Sequence, residues 1–172
     1  MFCWRFPVAS PRFSFQKELG KWLSNAERLV LAGIGNPIRM DDYAGVKVVQ
    51  DLQGKVSDRV HLIECETVPE DSVPQIVDFN PTHVLLIDAA LLDLEPGGYK
   101  LVEPELLPMS PALSTHVLPL RIFCEHVRET TQARIALLLV EPEKSDFGES
   151  LTPRVEASVK EIIQTLLELL PQ

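Results

Sequence analysis

Short apolar runs alternate with amphipathic stretches along most of this chain. Mostly apolar runs at 29–32, 60–65, 83–88 and 134–140 predict buried strands of the kind found in parallel sheets. Residues 99–102 alternate between apolar and polar and follow a Pro-Gly-Gly turn. That pattern predicts a fifth strand at a sheet edge, and an antiparallel direction would suit it.

Between these runs, apolar residues recur at helical spacing. Such periodicity predicts a helix from residue 14, one after Asp42 that ends near Gly54, and one within residues 67–80. It also predicts a helix that contains Pro119 in its first turn, and a last helix that Thr152 and Pro153 would begin as cap and first residue. Strands alternating with helices predict an α/β fold: a three-layer α/β/α sandwich with a mainly parallel, five-stranded twisted sheet.

Composition narrows the class of protein. The 172 residues are enough for one domain with a sizeable core, and the net charge of −9 argues against a nucleic-acid partner. Three cysteines without paired spacing indicate a reducing compartment. No apolar run is long enough to span a bilayer, and the N-terminus shows no signal-peptide pattern, so we expect a cytoplasmic monomer without membrane contact.

Four polar residues follow predicted strands at positions where ligands bind in α/β folds. Asp41 and Asp42 follow the first strand, Asp88 ends the third, and His116 precedes a helix after the fourth. Two carboxylates and an imidazole would suit a divalent first-row metal and leave coordination positions open for a substrate. Each residue also has a structural alternative, since an acid before a helix is commonly a cap, which for Asp41 is the favoured interpretation.

Other candidates are weaker. His61, His83 and His126 fall at ordinary strand and helix positions, where we expect structural or surface roles. Cys65 ends the second strand and could be a soft ligand or a nucleophile, but it has no evident partner in the sequence. The Gly33-x-Gly35 loop lacks the third glycine of a dinucleotide fingerprint.

Three segments in order resemble the hydrogenase maturation endopeptidase family. They are Gly33-Ile34-Gly35-Asn36 with Asp41-Asp42-x-x-Gly45, then Ile87-Asp88-Ala89, then residues 114–120 around His116. The last segment and the Pro-Gly-Gly turn look most like the branch that processes formate-hydrogenlyase-type hydrogenases. The resemblance covers residues 27–172, which we expect to form a single α/β hydrolase-like peptidase domain, with residues 1–26 as an N-terminal appendage.

The resemblance implies a nickel-dependent hydrolase with aspartic-type endopeptidase activity. Members remove a C-terminal extension from the precursor of the nickel-iron hydrogenase large subunit after nickel has been inserted. The family's metal contacts fall on Asp42, Asp88 and His116, and Asp41 matches a neighbouring acid, so all four are candidate catalytic residues. The nickel would be carried by the substrate. No serine or cysteine triad is visible, which favours attack by water assisted by a carboxylate.

The sequence departs from the family at two places and leaves two alternatives open. Cys65-Glu66-Thr67 replaces a small glycine-rich loop, and Tyr43 replaces a glycine. The first alternative is a peptidyl-tRNA hydrolase-like enzyme, which the residues 33–37 also resemble but which the negative charge disfavours. The second is a non-enzymatic nickel-binding maturation factor that uses the same three ligands.

Overall fold

The computed structural model describes residues 11–106 and 117–172, and within that part it contains five strands and five helices. The strands are β1 (Leu29–Ile34), β2 (Val60–Glu66), β3 (His83–Ala89), β4 (Tyr99–Val102) and β5 (Arg134–Val140). The helices are α1 (Pro11–Trp22), α2 (Ala44–Leu52), α3 (Val73–Phe79), α4 (Val117–Thr131) and α5 (Pro153–Leu169). Short 3₁₀ turns at Met40–Tyr43, Pro69–Ser72 and Pro104–Leu106 complete these elements.

The strands form one sheet in the order β2-β1-β3-β5-β4. β1 pairs in parallel with β2 and β3, β3 pairs in parallel with β5, and β4 runs antiparallel to β5. The predicted mainly parallel sheet and its antiparallel edge strand are therefore confirmed. β2 lies on one side of β1 and β3 lies on the other, so the direction of strand order reverses between β1 and β3. The carboxyl ends of these two strands therefore form a topological switch point.

Alternate residues of the central strands face two separate cores, because successive side chains of a strand point to opposite faces. One core joins residues such as Leu31, Leu85 and Leu138 to α1, α2 and α5. The other joins Val30, Leu86 and Leu137, among others, to α3 and α4. The two cores explain why the strands are almost continuously apolar, and they confirm the predicted three layers.

Helix α1 packs closely against the sheet. The residues that its periodicity places on one face are all buried: Phe15, Leu19, Trp22 and Leu23. They belong to the same core as α2 and α5, and the Phe15 ring meets the edge of the Tyr99 ring at a centroid distance of 5.1 Å. The helix is confirmed; the division of the chain into residues 1–26 and 27–172 stays a prediction.

The segment 67–80 differs from the single helix that the sequence predicts. It forms a 3₁₀ turn that begins at Pro69, followed by the short helix α3, which ends at Asn80 in a left-handed conformation with a φ of 50°. Ile76 is fully buried, whereas Val73 and Val77 are partly exposed. Two prolines within six residues remove backbone donors from the start of the segment, which accounts for its irregular first half.

Two glycines bring α2 against the ends of the strands. A Cβ atom on Gly45 would lie 2.0 Å from the Ile87 carbonyl oxygen and 2.4 Å from that of Ile34. A Cβ atom on Gly33 would lie 2.3 Å from the Gly45 carbonyl oxygen. These contacts are with backbone atoms, which cannot move aside as a flexible side chain would. The start of α2 can therefore lie between β1 and β3 only because neither position carries a side chain.

We expect Gly45→Ala to reduce the free energy of unfolding by about 3 kcal/mol or more, because the added methyl group overlaps main-chain atoms. Gly20→Ala is the matched control, since Gly20 is also helical and its nearest neighbour would lie 3.8 Å away. That control should be neutral or should stabilise the chain by up to about 1 kcal/mol through helix propensity. Urea denaturation of both variants measures the difference, and equal stability of the two would contradict the close approach.

Candidate active site

The loop after β1 places Asp42 at the carboxyl edge of the sheet, defined here as the edge where β1, β2, β3 and β5 end. Gly35 adopts a φ of 143°, and a Cβ atom there would lie 1.8 Å from the Asp42 carbonyl oxygen. Only glycine allows the 3₁₀ turn Met40–Tyr43 to fold back so closely. The Asn36 backbone N–H then donates a hydrogen bond of 3.1 Å to Asp42 Oδ2, which orients the carboxylate.

Asp88 reaches the same edge from the end of β3. Its Oδ1 accepts a hydrogen bond of 2.8 Å from the Ala89 backbone N–H. The side chain still reaches solvent, but the protein crowds it: burial raises the pKa of Asp88 from 3.8 to about 7. The Ala89 hydrogen bond opposes this rise in pKa, and the negative charge of Asp42 adds to it. The structure thus brings Asp42 and Asp88 together, as the sequence predicts.

Asp41 lies next to Asp42 in sequence but points to a different place. It is fully buried, and Oδ2 accepts hydrogen bonds of 2.9 Å from the backbone N–H groups of Glu143 and Lys144. Oδ1 accepts one of 2.7 Å from the Thr152 N–H, and the Thr152 hydroxyl lies 2.9–3.0 Å from both oxygens. Three N–H donors and one hydroxyl nearly saturate a carboxylate. These contacts make Asp41 a brace for the loop after β5 rather than a cap, and its catalytic role stays a prediction.

The same contacts change the role of Thr152. Thr152 occupies the N-cap position of α5 ahead of Pro153, as predicted, but its side chain makes no capping hydrogen bond. Its hydroxyl is bonded to Asp41 instead. A buried carboxylate is the stronger acceptor, because hydrogen bonds to charged groups are shorter and stronger than those between neutral groups.

A second buried carboxylate, Glu141, was not foreseen from the sequence. It directly follows β5, is only 7% exposed, and accepts hydrogen bonds at Oε2 from the backbone N–H groups of Leu92 and Leu94. Glu141 therefore braces the loop after β3, as Asp41 braces the loop after β5. One signal was available: an acid ends an apolar run here, as Asp88 does after residues 84–87.

The third predicted ligand, His116, lies outside the described residues, as do Ser114 and Thr115. In the part of the chain that is described, no group of three or more His, Cys, Asp or Glu residues could hold a metal ion. Asp42 and Asp88 are the members of the predicted ligand set that can be placed. Their hard oxygen atoms suit a divalent cation, and one cation between them would offset the repulsion of two neighbouring carboxylates.

The surroundings of Cys65 disfavour both of the roles that the sequence left open for it. Its side chain is 5% exposed, and burial raises the pKa of the thiol above its usual value. A hydrogen bond with Ser72 opposes that rise, whereas the charge of Glu70 adds to it. Because the thiolate is the nucleophilic and metal-binding form, a buried thiol with a raised pKa is poorly suited to either task.

An acidic pocket lies beside the carboxylate pair, at the end of β2. It has a volume of about 270 Å³, and Glu64, Glu66 and Asp71 are among its lining residues. The Gly35 N–H donates a hydrogen bond of 2.8 Å to the Glu66 carbonyl oxygen, which joins the pocket to the loop that carries Asp42. Neither Asp42 nor Asp88 lines the pocket. The carboxyl edge thus offers a carboxylate pair and, next to it, a negatively charged recess.

Comparison with known proteins identifies the family. A family model described as hydrogenase maturation protease matches residues 46–169, which is more than half of the chain. The chain belongs to the hydrogenase maturation protease family. As a member it is a hydrolase and a protease, and the resemblance of its motifs to that family is confirmed. The match begins at Val46, so it includes Asp88 but not Asp42.

Relatives and solved structures agree with this hydrogenase maturation protease assignment. The chain is 32% identical over 159 residues to a putative hydrogenase maturation protease of Methanocaldococcus jannaschii, covering 87% of this chain and 92% of that protein. It is 24% identical over 137 residues to the hydrogenase 3 maturation protease of Escherichia coli, covering 80% and 87%. The crystal structure of the NiFe hydrogenase maturation protease HycI from Thermococcus kodakarensis superimposes with a TM-score of 0.83, at 31% identity and coverage of 89% and 98%.

Stability should depend on pH through Asp88. Between its ordinary pKa of 3.8 and its folded value of about 7, the folded chain keeps a proton that the unfolded chain loses. The contribution of Asp88 to stability therefore falls as the pH rises through this window and is lowest above it. Asp88→Asn keeps the Ala89 hydrogen bond without a charge, so we expect its free energy of unfolding to exceed that of wild type by up to about 4 kcal/mol at pH 8.

Chemical denaturation at pH 4, 6 and 8, in buffer with chelator, measures this effect. The advantage of Asp88→Asn should shrink as the pH falls and should be nearly absent at pH 4. Asp58→Asn is the control, since Asp58 is exposed in the turn before β2 at the opposite edge of the sheet. An advantage of Asp88→Asn that does not change with pH would contradict the raised pKa.

Proposed function

We propose that this protease is an endopeptidase that removes the C-terminal extension of the nickel-iron hydrogenase large-subunit precursor after nickel insertion. The observation that carries the proposal is the meeting of Asp42 and Asp88 at the switch point of the sheet, in a member of this family. Ligands of open α/β folds bind in the crevice at that point. The names of the relatives, which include a hydrogenase 3 maturation protease, support the same substrate class.

Nickel enters this proposal as part of the substrate. Two carboxylates and one histidine are too few and too hard to compete with a cysteine-rich site for nickel. They would instead complete the coordination of an ion that the precursor already holds, which places the C-terminal extension in a fixed register. Asp42 and Asp88, together with His116, are the residues we assign to this contact.

The peptide bond would then be broken by water. Water adds to the carbonyl carbon, the carbon–nitrogen bond breaks, and the products are a carboxylic acid and an amine. A carboxylate at the site would take the proton from the attacking water and return one to the leaving amine. In the described residues, the buried Cys65 is a poor candidate for a nucleophile, which agrees with direct attack by water.

The residue assignments can be tested by substitution. We expect Asp42→Asn, Asp88→Asn and His116→Ala each to lower the rate of precursor cleavage at least about 100-fold, because each removes a contact made to the reacting complex. Circular dichroism should show a folded chain in every case, and Asp58→Asn should cleave like wild type. Wild-type rates for all three variants would overturn the assignment.

A second experiment separates substrate-borne nickel from a resident metal. Enzyme stripped by chelator and desalted should release the C-terminal peptide from nickel-loaded precursor, as followed by mass spectrometry. Metal-free precursor should stay intact even with enzyme that was first incubated with nickel and desalted. Cleavage of metal-free precursor would instead indicate an ordinary metallopeptidase, and binding of nickel-loaded precursor without cleavage would indicate the non-enzymatic maturation factor.

A further inference from the structure

Exposed apolar side chains are concentrated at the carboxyl edge. Within residues 12–105 and 120–172, eight large hydrophobic side chains are exposed. Five of them follow the carboxyl ends of the parallel strands: Ile38 after β1, Val68 after β2, Leu91 and Leu94 after β3, and Phe147 after β5. This edge also carries Asp42 and Asp88. Grouped apolar exposure of this kind marks an interaction surface more often than scattered single residues do.

Two of these five residues form an apolar pair, Ile38 and Phe147. Phe147 is 86% exposed and Ile38 is 53% exposed. The Gly148 N–H, next to Phe147, donates a hydrogen bond of 3.0 Å to the Ile38 carbonyl oxygen. In turn the Met40 N–H donates one of 2.9 Å to the Gly148 carbonyl oxygen, and Arg39 and Gly148 form a parallel β-bridge. The loops after β1 and β5 are thus joined where they present the pair.

Hydrogen bonds between the loops after β1 and β5 hold the backbone segments that carry the apolar pair. The Arg39 guanidinium donates hydrogen bonds of 2.9 and 3.2 Å to the Ser145 carbonyl oxygen, and the Asp41 N–H donates one of 3.1 Å to the Lys144 carbonyl oxygen. The buried Asp41 carboxylate holds the same loop from below, through Glu143 and Lys144. An exposed aromatic ring on a braced segment loses little freedom when it is covered, which is the usual property of a binding anchor.

The position of the pair indicates what covers it. Ile38 precedes Asp42 by four residues, on the loop that orients the Asp42 carboxylate. Because the chain belongs to a protease family, its substrate is a protein, and a protein bound at Asp42 and Asp88 would extend over the adjoining loops. The edge is acidic as well, with Glu64, Glu66 and Asp71 in the neighbouring pocket. A complementary partner would present an apolar patch bordered by basic side chains.

We propose that Ile38 and Phe147 are the docking anchor for the hydrogenase large-subunit precursor, which binds them through an apolar patch bordered by basic side chains. The proposal rests on the proposed function and adds that the protease recognises the body of its substrate, beyond the peptide bond and the nickel. The anchor contributes to binding of the precursor and takes no part in the chemical step.

The test compares the kinetics of matched variants on nickel-loaded precursor. We expect Phe147→Ala to raise KM at least tenfold and Ile38→Ala to raise it by a smaller factor, with kcat unchanged for both. Phe147→Leu, which keeps an apolar side chain, should recover most of the lost affinity. Leu167→Ala is the control, because Leu167 is also exposed but lies near the far end of α5, away from the carboxyl edge. Melting temperatures should not differ between wild type and the two Phe147 variants, because that side chain is almost fully exposed.

Each contrary result has a distinct meaning. If wild type cleaves and Phe147→Ala keeps the wild-type KM, the anchor is wrong while the proposed function stands. If wild type does not cleave, the proposed function fails, and the anchor is judged by whether Phe147→Ala weakens binding of the same precursor in calorimetry. A lower melting temperature of Phe147→Ala would show that the ring packs on this chain. A wild-type dimer that Phe147→Ala dissociates would show that a second copy covers it. Either of the last two results overturns the anchor.

Discussion

The structure depends above all on the hydrogen bonds of one buried carboxylate. Asp41 is fully enclosed, and it receives the backbone N–H groups of Glu143, Lys144 and Thr152 together with the Thr152 hydroxyl. A buried charge is tolerated only when it is paired or fully hydrogen-bonded. Because its donors all come from the segment between β5 and α5, Asp41 joins the turn after β1 to that segment. Asp42 is the next residue of the same turn, so its backbone is held in place as well.

Close approach between backbone segments is the second feature that positions Asp42 and Asp88. Gly33, Gly35 and Gly45 let the turn after β1 and the start of α2 lie directly on the ends of β1 and β3. Without that contact, Asp42 would lie farther from Asp88. The raised pKa of Asp88, caused first by burial and then by the charge of Asp42, is the electrostatic consequence of this crowding. The proximity of the two carboxylates therefore comes at a cost to the stability of the protein.

The sequence predicts the strands and helices well, but it does not predict the hydrogen-bond partners of the buried carboxylates Asp41 and Glu141. Strands, helices and the antiparallel edge follow from local periodicity, which a single sequence displays directly. The shared edge of Asp42 and Asp88 also follows, since parallel strands end together. By contrast, the partners of Asp41 lie 102 to 111 residues away, and those of Glu141 lie 47 and 49 residues away. Residue type alone does not distinguish an acid that holds a loop from one that meets a substrate, so the sequence predicts a capping role for Thr152 and gives no role for Glu141.

The edges of the sheet also limit how this protein associates with others. β4 has only four residues, and its Lys100 is exposed. β2 exposes Glu64 and Glu66 in its carboxyl-terminal half. Short length and outward charge discourage a foreign strand from extending the sheet by main-chain hydrogen bonding. A partner at either edge of the sheet therefore contacts charged side chains and a short strand. A partner at the carboxyl ends of the strands contacts loops with exposed apolar side chains. The two edges of the sheet therefore leave its carboxyl end, where Asp42 and Asp88 lie, as the more favourable side for contact with another protein.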